Sequence, residues 1–218
     1  MIDYKIKKNI DGSQSTFFKW HVVVLKKIDF VNKKVLDMGC GAGGFLNYLK
    51  NNYKSNVIGI DPNSENIKIC RYHNIQVYND YANELLNNEE LVDRFDIVTS
   101  FEVLEHVYSY KDLFLPAFLF LKEGGFFCIS TPNAFHIFRI LSMILGDHRD
   151  ILMDPTRNEE PEHIRLYSYK MIKRAFCKSN FNNIKIYGIL RIFKYNIILK
   201  NRFLINYFAQ HLIGIGAK

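Results

Sequence analysis

Short apolar runs rich in β-branched residues recur along the chain, separated by stretches of helical period. The runs are KVLDMGC (34–40), NVIGIDP (56–62), IQVYN (75–79), FDIVTSFE (95–102), GFFCISTPN (125–133), IKIYGI (184–189) and LIGIGAK (212–218). Several are continuously apolar, as strands buried on both faces of a parallel sheet must be. Between them, GFLNYLKNN (44–52), ENIKICRYHN (65–74), SYKDLFLPAFLFLK (109–122) and SYKMIKRAFCKSN (168–180) read as helices, with Ser or Gly near their starts. Strand and helix in alternation predict an α/β fold, a Rossmann-like doubly wound sheet of seven strands with helices on both faces.

Three segments interrupt this repeat. Residues 13–30 predict an amphipathic helix within an N-terminal cap (1–33). Residues 134–166 form an insertion after the fifth strand. Residues 190–211 interpose an apolar and basic stretch before the last strand. The whole of 1–218 is expected to be one domain. Apolar stretches such as 113–121 fall short of the ~18–20 residues that cross a bilayer, and the N-terminus is polar, so neither a transmembrane helix nor a signal peptide is expected.

With 48% hydrophobic and 15% aromatic residues, the 218-residue chain can bury a large core, which excludes global disorder. Its net charge of +7 permits an anionic partner, but the basic residues are scattered. Cys40, Cys70, Cys128 and Cys177 are widely spaced without a C-x-x-C pair, against a zinc knuckle or a disulfide scaffold; a reducing cytoplasm is the expected location.

Open α/β sheets bind ligands at the carboxyl ends of their strands, so chemistry is expected there. In VLDMGCGAGGF (35–45), Gly39, Gly41 and Gly43 follow a strand and open a helix, allowing a tight turn and close backbone approach to a ligand. Asp61 ends the second strand, where its carboxylate can accept hydrogen bonds from both ribose hydroxyls. Together they point to an adenosine-containing ligand. Asp37 would repel the pyrophosphate of a dinucleotide and attract an ammonium group, against NAD. A turn-forming loop with Asp61 capping a helix is the non-functional alternative.

These motifs resemble those of class I S-adenosylmethionine-dependent methyltransferases. The likeness runs from Val35–Gly43 through Asp61, Asp80, FDIVTSFEVLEHV (95–107) and LKEGGFFCISTPN (121–133), covering roughly residues 17–189. It implies an antiparallel last strand and S-adenosylmethionine as cofactor. By the same resemblance, Asp37 and the Gly39, Cys40, Gly41 and Gly43 loop would hold the methionine moiety. Asp61 and Pro62 would meet the ribose, Asp80 and Tyr81 would flank the adenine, and Phe101 would lie near the sulfur.

Methyl transfer is an in-line displacement, favoured by holding the acceptor ~3 Å from the methyl carbon. A base helps where the acceptor must lose a proton. Glu102, Glu105 and His106 follow the fourth strand at the crevice mouth, and His106, with an ordinary pKa near ~6.5, suits general-base work. Alternatively, the glutamates cap backbone amides and His106 packs beneath the cofactor. A third reading joins Glu102, Glu105, His106 and His163 as ligands of a divalent metal, which is not favoured but would lower a hydroxyl's pKa. His163 either faces the site or closes the insertion over the sheet.

The E-x-x-E-H, S-T-P-N and later His are similar to those of small-RNA 2′-O-methyltransferases. S-T-P-N, an insertion, then E-H-x-R-x-Y-S and a helix resemble a broader small-molecule group, including ubiquinone-type O-methyltransferases and enzymes of surface-polysaccharide loci. This favours O-methylation of a small-molecule acceptor over a nucleic-acid substrate, with a non-catalytic cofactor-binding module as the other alternative. Phe135, Phe138, Met143, His148, Arg149, Arg157 and Arg165 equip the insertion as a lid that selects substrate, or as a flap that only covers the sheet. Residues 190–211 read as a basic amphipathic helix able to rest on an anionic membrane, at the inner face; dimer contact and core packing remain alternatives. Monomer and homodimer are both open.

Overall fold

The computed structural model describes residues 24, 26–146, 163–192 and 195–218. Most of the helix expected over 13–30, and residues 147–162 of the insertion, lie outside these. The elements run β1 (Lys34–Met38), α1 (Gly44–Tyr53), β2 (Asn56–Ile60), α2 (Ser64–Tyr72), β3 (Gln76–Tyr78), β4 (Phe95–Phe101), α3 (Lys111–Phe120) and β5 (Leu121–Pro132). They continue with α4 (Ile137–Ile144), α5 (Tyr169–Lys178), β6 (Asn182–Ile192), β7 (Tyr195–Leu199), α6 (Arg202–Phe208) and β8 (His211–Ala217).

One sheet of eight strands results, in the order β3-β2-β1-β4-β5-β8-β6-β7. The β1–β2, β1–β4, β2–β3 and β4–β5 pairs are parallel, whereas β8 runs antiparallel to both β5 and β6. The Rossmann-like sheet and its antiparallel last strand match expectation; the strand count is eight rather than seven. The side-chain period of two divides each strand between two cores. Leu36, Met38, Val98, Phe127 and Ile129 face a cluster with Phe114, Ile172 and Phe176. Val35, Ile97 and Cys128 face the other, with Phe45, Leu46 and Leu49. The last strand carries Gly214 because Phe176 presses on it: a Cβ there would lie 2.5 Å from the ring.

The extra strand lies in the 190–211 stretch, which is not a continuous amphipathic helix. It holds the end of β6, then β7, which pairs antiparallel from Gly188↔Leu199 to Ile192↔Tyr195, and then α6. Branched residues Ile197 and Ile198 suit an edge strand that covers the open hydrogen-bonding groups of β6. Asn201 caps α6 by accepting from Phe203 and Leu204 N–H groups. Ser168 caps α5 as expected, accepting from Met171 N–H.

Asn133, fully buried after β5, holds the crevice end together. Its Nδ2 reaches the carbonyls of Ile205, Asn206 and Ala209 at 3.1, 2.9 and 2.8 Å, while its Oδ1 accepts from Phe135 N–H. Asn133→Ala is expected to destabilise the protein by about 2 kcal/mol, because carbonyls at the end of α6 lose buried partners. Urea denaturation with unchanged m-value checks this; an unaltered midpoint would show that the end of α6 is held by other contacts.

Candidate active site

The loop after β1 turns through three left-handed glycines, with φ of +78° at Gly39, +53° at Gly41 and +76° at Gly43. A Cβ on Gly39 would lie only 2.4 Å from Cγ2 of Val103, so the glycine loop and the segment after β4 touch. Gly41 N–H donates to Oδ2 of Asp61 at 2.8 Å, and Oδ1 of Asp61 accepts from Asn63 N–H and Asn66 Nδ2, both at 3.0 Å. Asn63 caps α2, accepting from the Glu65 and Asn66 N–H groups, so Asp61 at the end of β2 is not the helix cap. Pro62 beside it is exposed. Asn79 Nδ2 donates to the carbonyls of Asp61 and Pro62, tying the loop after β3 to the one after β2. In that loop, Asp80 accepts from Tyr81 N–H, and Tyr81 presents an exposed ring.

Asp37 is buried on β1, accepting from Thr99 Oγ1 at 2.7 Å. Desolvation, opposed by the Thr99 hydrogen bond and reinforced by the Asp61 charge, raises its pKa to about 7. Phe101 packs edge-on against Phe45, centroids 5.3 Å apart, and is buried there.

At the end of β4 the backbone of Glu102 is left-handed, with φ +54°, a conformation that costs energy in any residue but glycine. The surroundings hold it: Glu102 N–H donates to the carbonyl of Ser130 at 3.1 Å, and Oε1 accepts from Ser130 Oγ at 2.6 Å. Its Oε2 lies 3.1 Å from Nδ1 of His211. Glu105 is buried, its Oε2 accepting from Thr131 Oγ1 at 2.9 Å. Its Oε1 makes no hydrogen bond among the described residues and lies 3.9 Å from Nε2 of His163. Burial first, then the Glu102 charge, lift the Glu105 carboxyl to about 8. The carbonyl of Glu105 accepts from Ile164 and Arg165 N–H, which holds the end of the insertion against the site.

His106 is exposed and its ring lies 5.0 Å from that of His163. The glutamate carboxylates thus take the hydroxyls of Ser130 and Thr131, and the His106 ring is open to the crevice side that carries His163. One ligand atom each from Glu105, His106 and His163 fall within 4.8 Å of one another. Glu102, expected with them, instead joins Ser130 and His211. The sequence reading missed His211 and Ser130. A signal for His211 existed, since the first residue of an antiparallel last strand lies at the crevice end, where His211 opposes Pro132.

Glycine loop, strand-end carboxylates and a cluster of titratable groups gather at the carboxyl ends of β1, β2 and β4, where Rossmann-like sheets bind their ligands. The chain belongs to the methyltransferase-domain family, whose model matches residues 15–186, and is a class I S-adenosylmethionine-dependent methyltransferase. It is 34% identical over 123 residues to the mitochondrial ubiquinone biosynthesis O-methyltransferase of Rattus norvegicus, covering 52% of this chain and 35% of that protein. To the ubiquinone biosynthesis O-methyltransferase of Pseudomonas fluorescens (strain SBW25) it is 33% identical over 113 residues, 50% of this chain and 48% of the relative. The match thus spans half or less of these relatives' lengths. A crystal structure of an S-adenosylmethionine-dependent methyltransferase from Archaeoglobus fulgidus shares the fold, with a TM-score of 0.68 over 97% of both chains at 19% identity.

Proposed function

We propose that this enzyme methylates a hydroxyl of a small-molecule acceptor, with Glu102, His106 and His163 as its acid–base residues. The observation that carries the reading is the Val103–Gly39 contact, which brings the Glu102–His106 segment against the glycine loop. The relatives named ubiquinone biosynthesis O-methyltransferases support oxygen as the acceptor atom. S-adenosylmethionine, when bound, supplies an electrophilic methyl group. Gly39, Cys40, Gly41 and Gly43 with Asp37 would cradle its amino-acid end, Asp61 and Pro62 its ribose, and Asp80 and Tyr81 its adenine, with Phe101 near the sulfur. His106 is exposed and accepts the acceptor's proton, with His163 beside it and Glu102 as the further proton-exchanging group at the same strand end.

Glu102→Gln is expected to lower turnover about hundredfold while leaving S-adenosylhomocysteine affinity within about twofold, as removal of an acid–base group does. Product release measured against catechols, quinone precursors and nucleotide-sugars, with calorimetric binding alongside, checks it. Equal turnover by the variant would remove Glu102 from the chemistry.

A second reading, metal-assisted 2′-O-methylation of RNA, has one observation in its favour. Glu105, His106 and His163 offer a mixed carboxylate–imidazole set suited to a divalent cation, and the unpartnered buried Oε1 of Glu105 fits a cation ligand. Glu102, turned toward Ser130 and His211, leaves that set at three. Such an ion would lower the pKa of the acceptor hydroxyl. Activity that survives EDTA is the expected result; activity confined to short RNAs and abolished by EDTA would replace the first reading with this one.

A peripheral membrane contact would rest on the 190–211 stretch; no described helix is long and apolar enough to cross a bilayer. Within that stretch Ile192, Ile197, Phe203, Leu204 and Phe208 expose large apolar side chains alongside Arg202. Co-sedimentation with anionic but not neutral vesicles at low salt is expected; no sedimentation with either would end the membrane reading.

A further inference from the structure

Gly41 is held through both of its backbone polar groups. Its N–H lies on Asp61, and its carbonyl lies 3.5 Å from Sγ of Cys40 and 3.3 Å from Sγ of Cys70, two thiols that approach one oxygen. Cys40 belongs to the glycine loop and Cys70 to α2. Both are buried and neither is in a disulfide. Each sulfur sits in space left by a glycine: a Cβ on Gly59 would lie 2.6 Å from Sγ of Cys40, and one on Gly43 2.8 Å from Sγ of Cys70. The neighbouring thiol, then burial, push Cys40 upward, whereas the proximity of Cys40 shifts Cys70 downward, so Cys70 is the better nucleophile of the pair. The acid–base chemistry after β4 uses neither.

We propose that Cys40 and Cys70 are an oxidative modification site, at which a peroxide closes a disulfide that disables the cofactor loop. The thiolate of Cys70 attacks one peroxide oxygen. An S–O bond forms, the O–O bond breaks, and the departing oxygen leaves as water with the proton lost from Cys70 and one from the peroxide. The sulfur of Cys40 then attacks the sulfenic sulfur. An S–S bond forms, the S–O bond breaks, and the hydroxyl leaves as water with the proton of Cys40. Both thiols are oxidised and one peroxide is reduced to water. An S–S bond of about 2.05 Å is far shorter than any thiol contact and takes both donors from the Gly41 carbonyl. With that carbonyl released and the two sulfurs drawn together, the glycine loop shifts and the Gly41 N–H leaves Asp61. This consequence rests on reading Asp61 and the glycine loop as the cofactor site.

The test treats the full chain with hydrogen peroxide, maps crosslinks by non-reducing peptide mass spectrometry, and measures S-adenosylhomocysteine binding by calorimetry. A Cys40–Cys70 crosslink is expected, with affinity lowered about tenfold or more. Dithiothreitol should restore the affinity, and Cys70→Ser should keep it after peroxide. Cys70→Ala repeats this control should the serine variant misfold. No crosslink between these two, crosslinks through exposed Cys177 alone, or a crosslink with unchanged affinity would each overturn the proposal. Failure of the reduced protein to bind S-adenosylhomocysteine would count instead against the cofactor-site reading, while the crosslink map still decides the thiol chemistry.

Discussion

Asp37→Asn is expected to lower S-adenosylhomocysteine affinity about hundredfold above pH 7 and to remove the pH dependence of binding. The carboxyl is buried beside Thr99 and titrates near 7 in the empty protein, so at neutral pH it is only partly ionised. An ammonium group needs the carboxylate. Wild-type affinity should therefore rise as pH increases through about 7 and level off above it. Stability runs the other way. A carboxyl whose folded pKa is raised from 3.8 to about 7 contributes stability that is fully present below the unfolded value and lost as pH rises through the folded one. This shift is worth on the order of 4 kcal/mol, which the empty wild type loses between those pH values and the asparagine variant does not. Calorimetry from about one unit below to about one unit above pH 7, and thermal unfolding from about pH 4 to about pH 8, test the two arms. A variant that binds like wild type at every pH would detach Asp37 from the cofactor.

Gly39→Ala should be nearly as damaging, for steric reasons alone. The new Cβ meets Cγ2 of Val103 at 2.4 Å, and the backbone at φ +78° disfavours any L side chain. Val103 is β-branched and stiff, so the loop or the segment after β4 must shift. About 2–3 kcal/mol of stability and about a hundredfold in cofactor affinity are expected to be lost. The double variant Gly39→Ala with Val103→Ala should recover part of this, since it removes the clash but not the backbone penalty. Full affinity in the single variant would mean that the loop does not approach its ligand closely; no recovery in the double would shift the whole effect onto backbone conformation.

Much of this protein was legible locally. The continuous apolar runs, the glycines of 39–43, Asp37 and Asp61 at strand ends and the Ser168 cap depend on neighbours within a few residues, and the local period carries them. Residues 190–211 were misread because their mix of apolar and basic residues suits an amphipathic helix as well as a hairpin. The edge of β6, with hydrogen-bonding groups to fill, decided between them.

The transfer site divided in the same way. That Glu102, Glu105 and His106 follow β4 was visible, because spacing alone puts them there. Which partner each would take was not. The direction of β8 brings His211 to Glu102, the Thr131 hydroxyl and burial claim Glu105, and the carbonyl of Glu105 draws in the chain beside His163. Cys40 and Cys70 likewise meet only because the glycine loop folds over α2. Sequence determined the strands, the turns and the kinds of groups at their ends. Tertiary structure alone chose the pairs, since a contact between distant residues exists only after packing has removed the water between them.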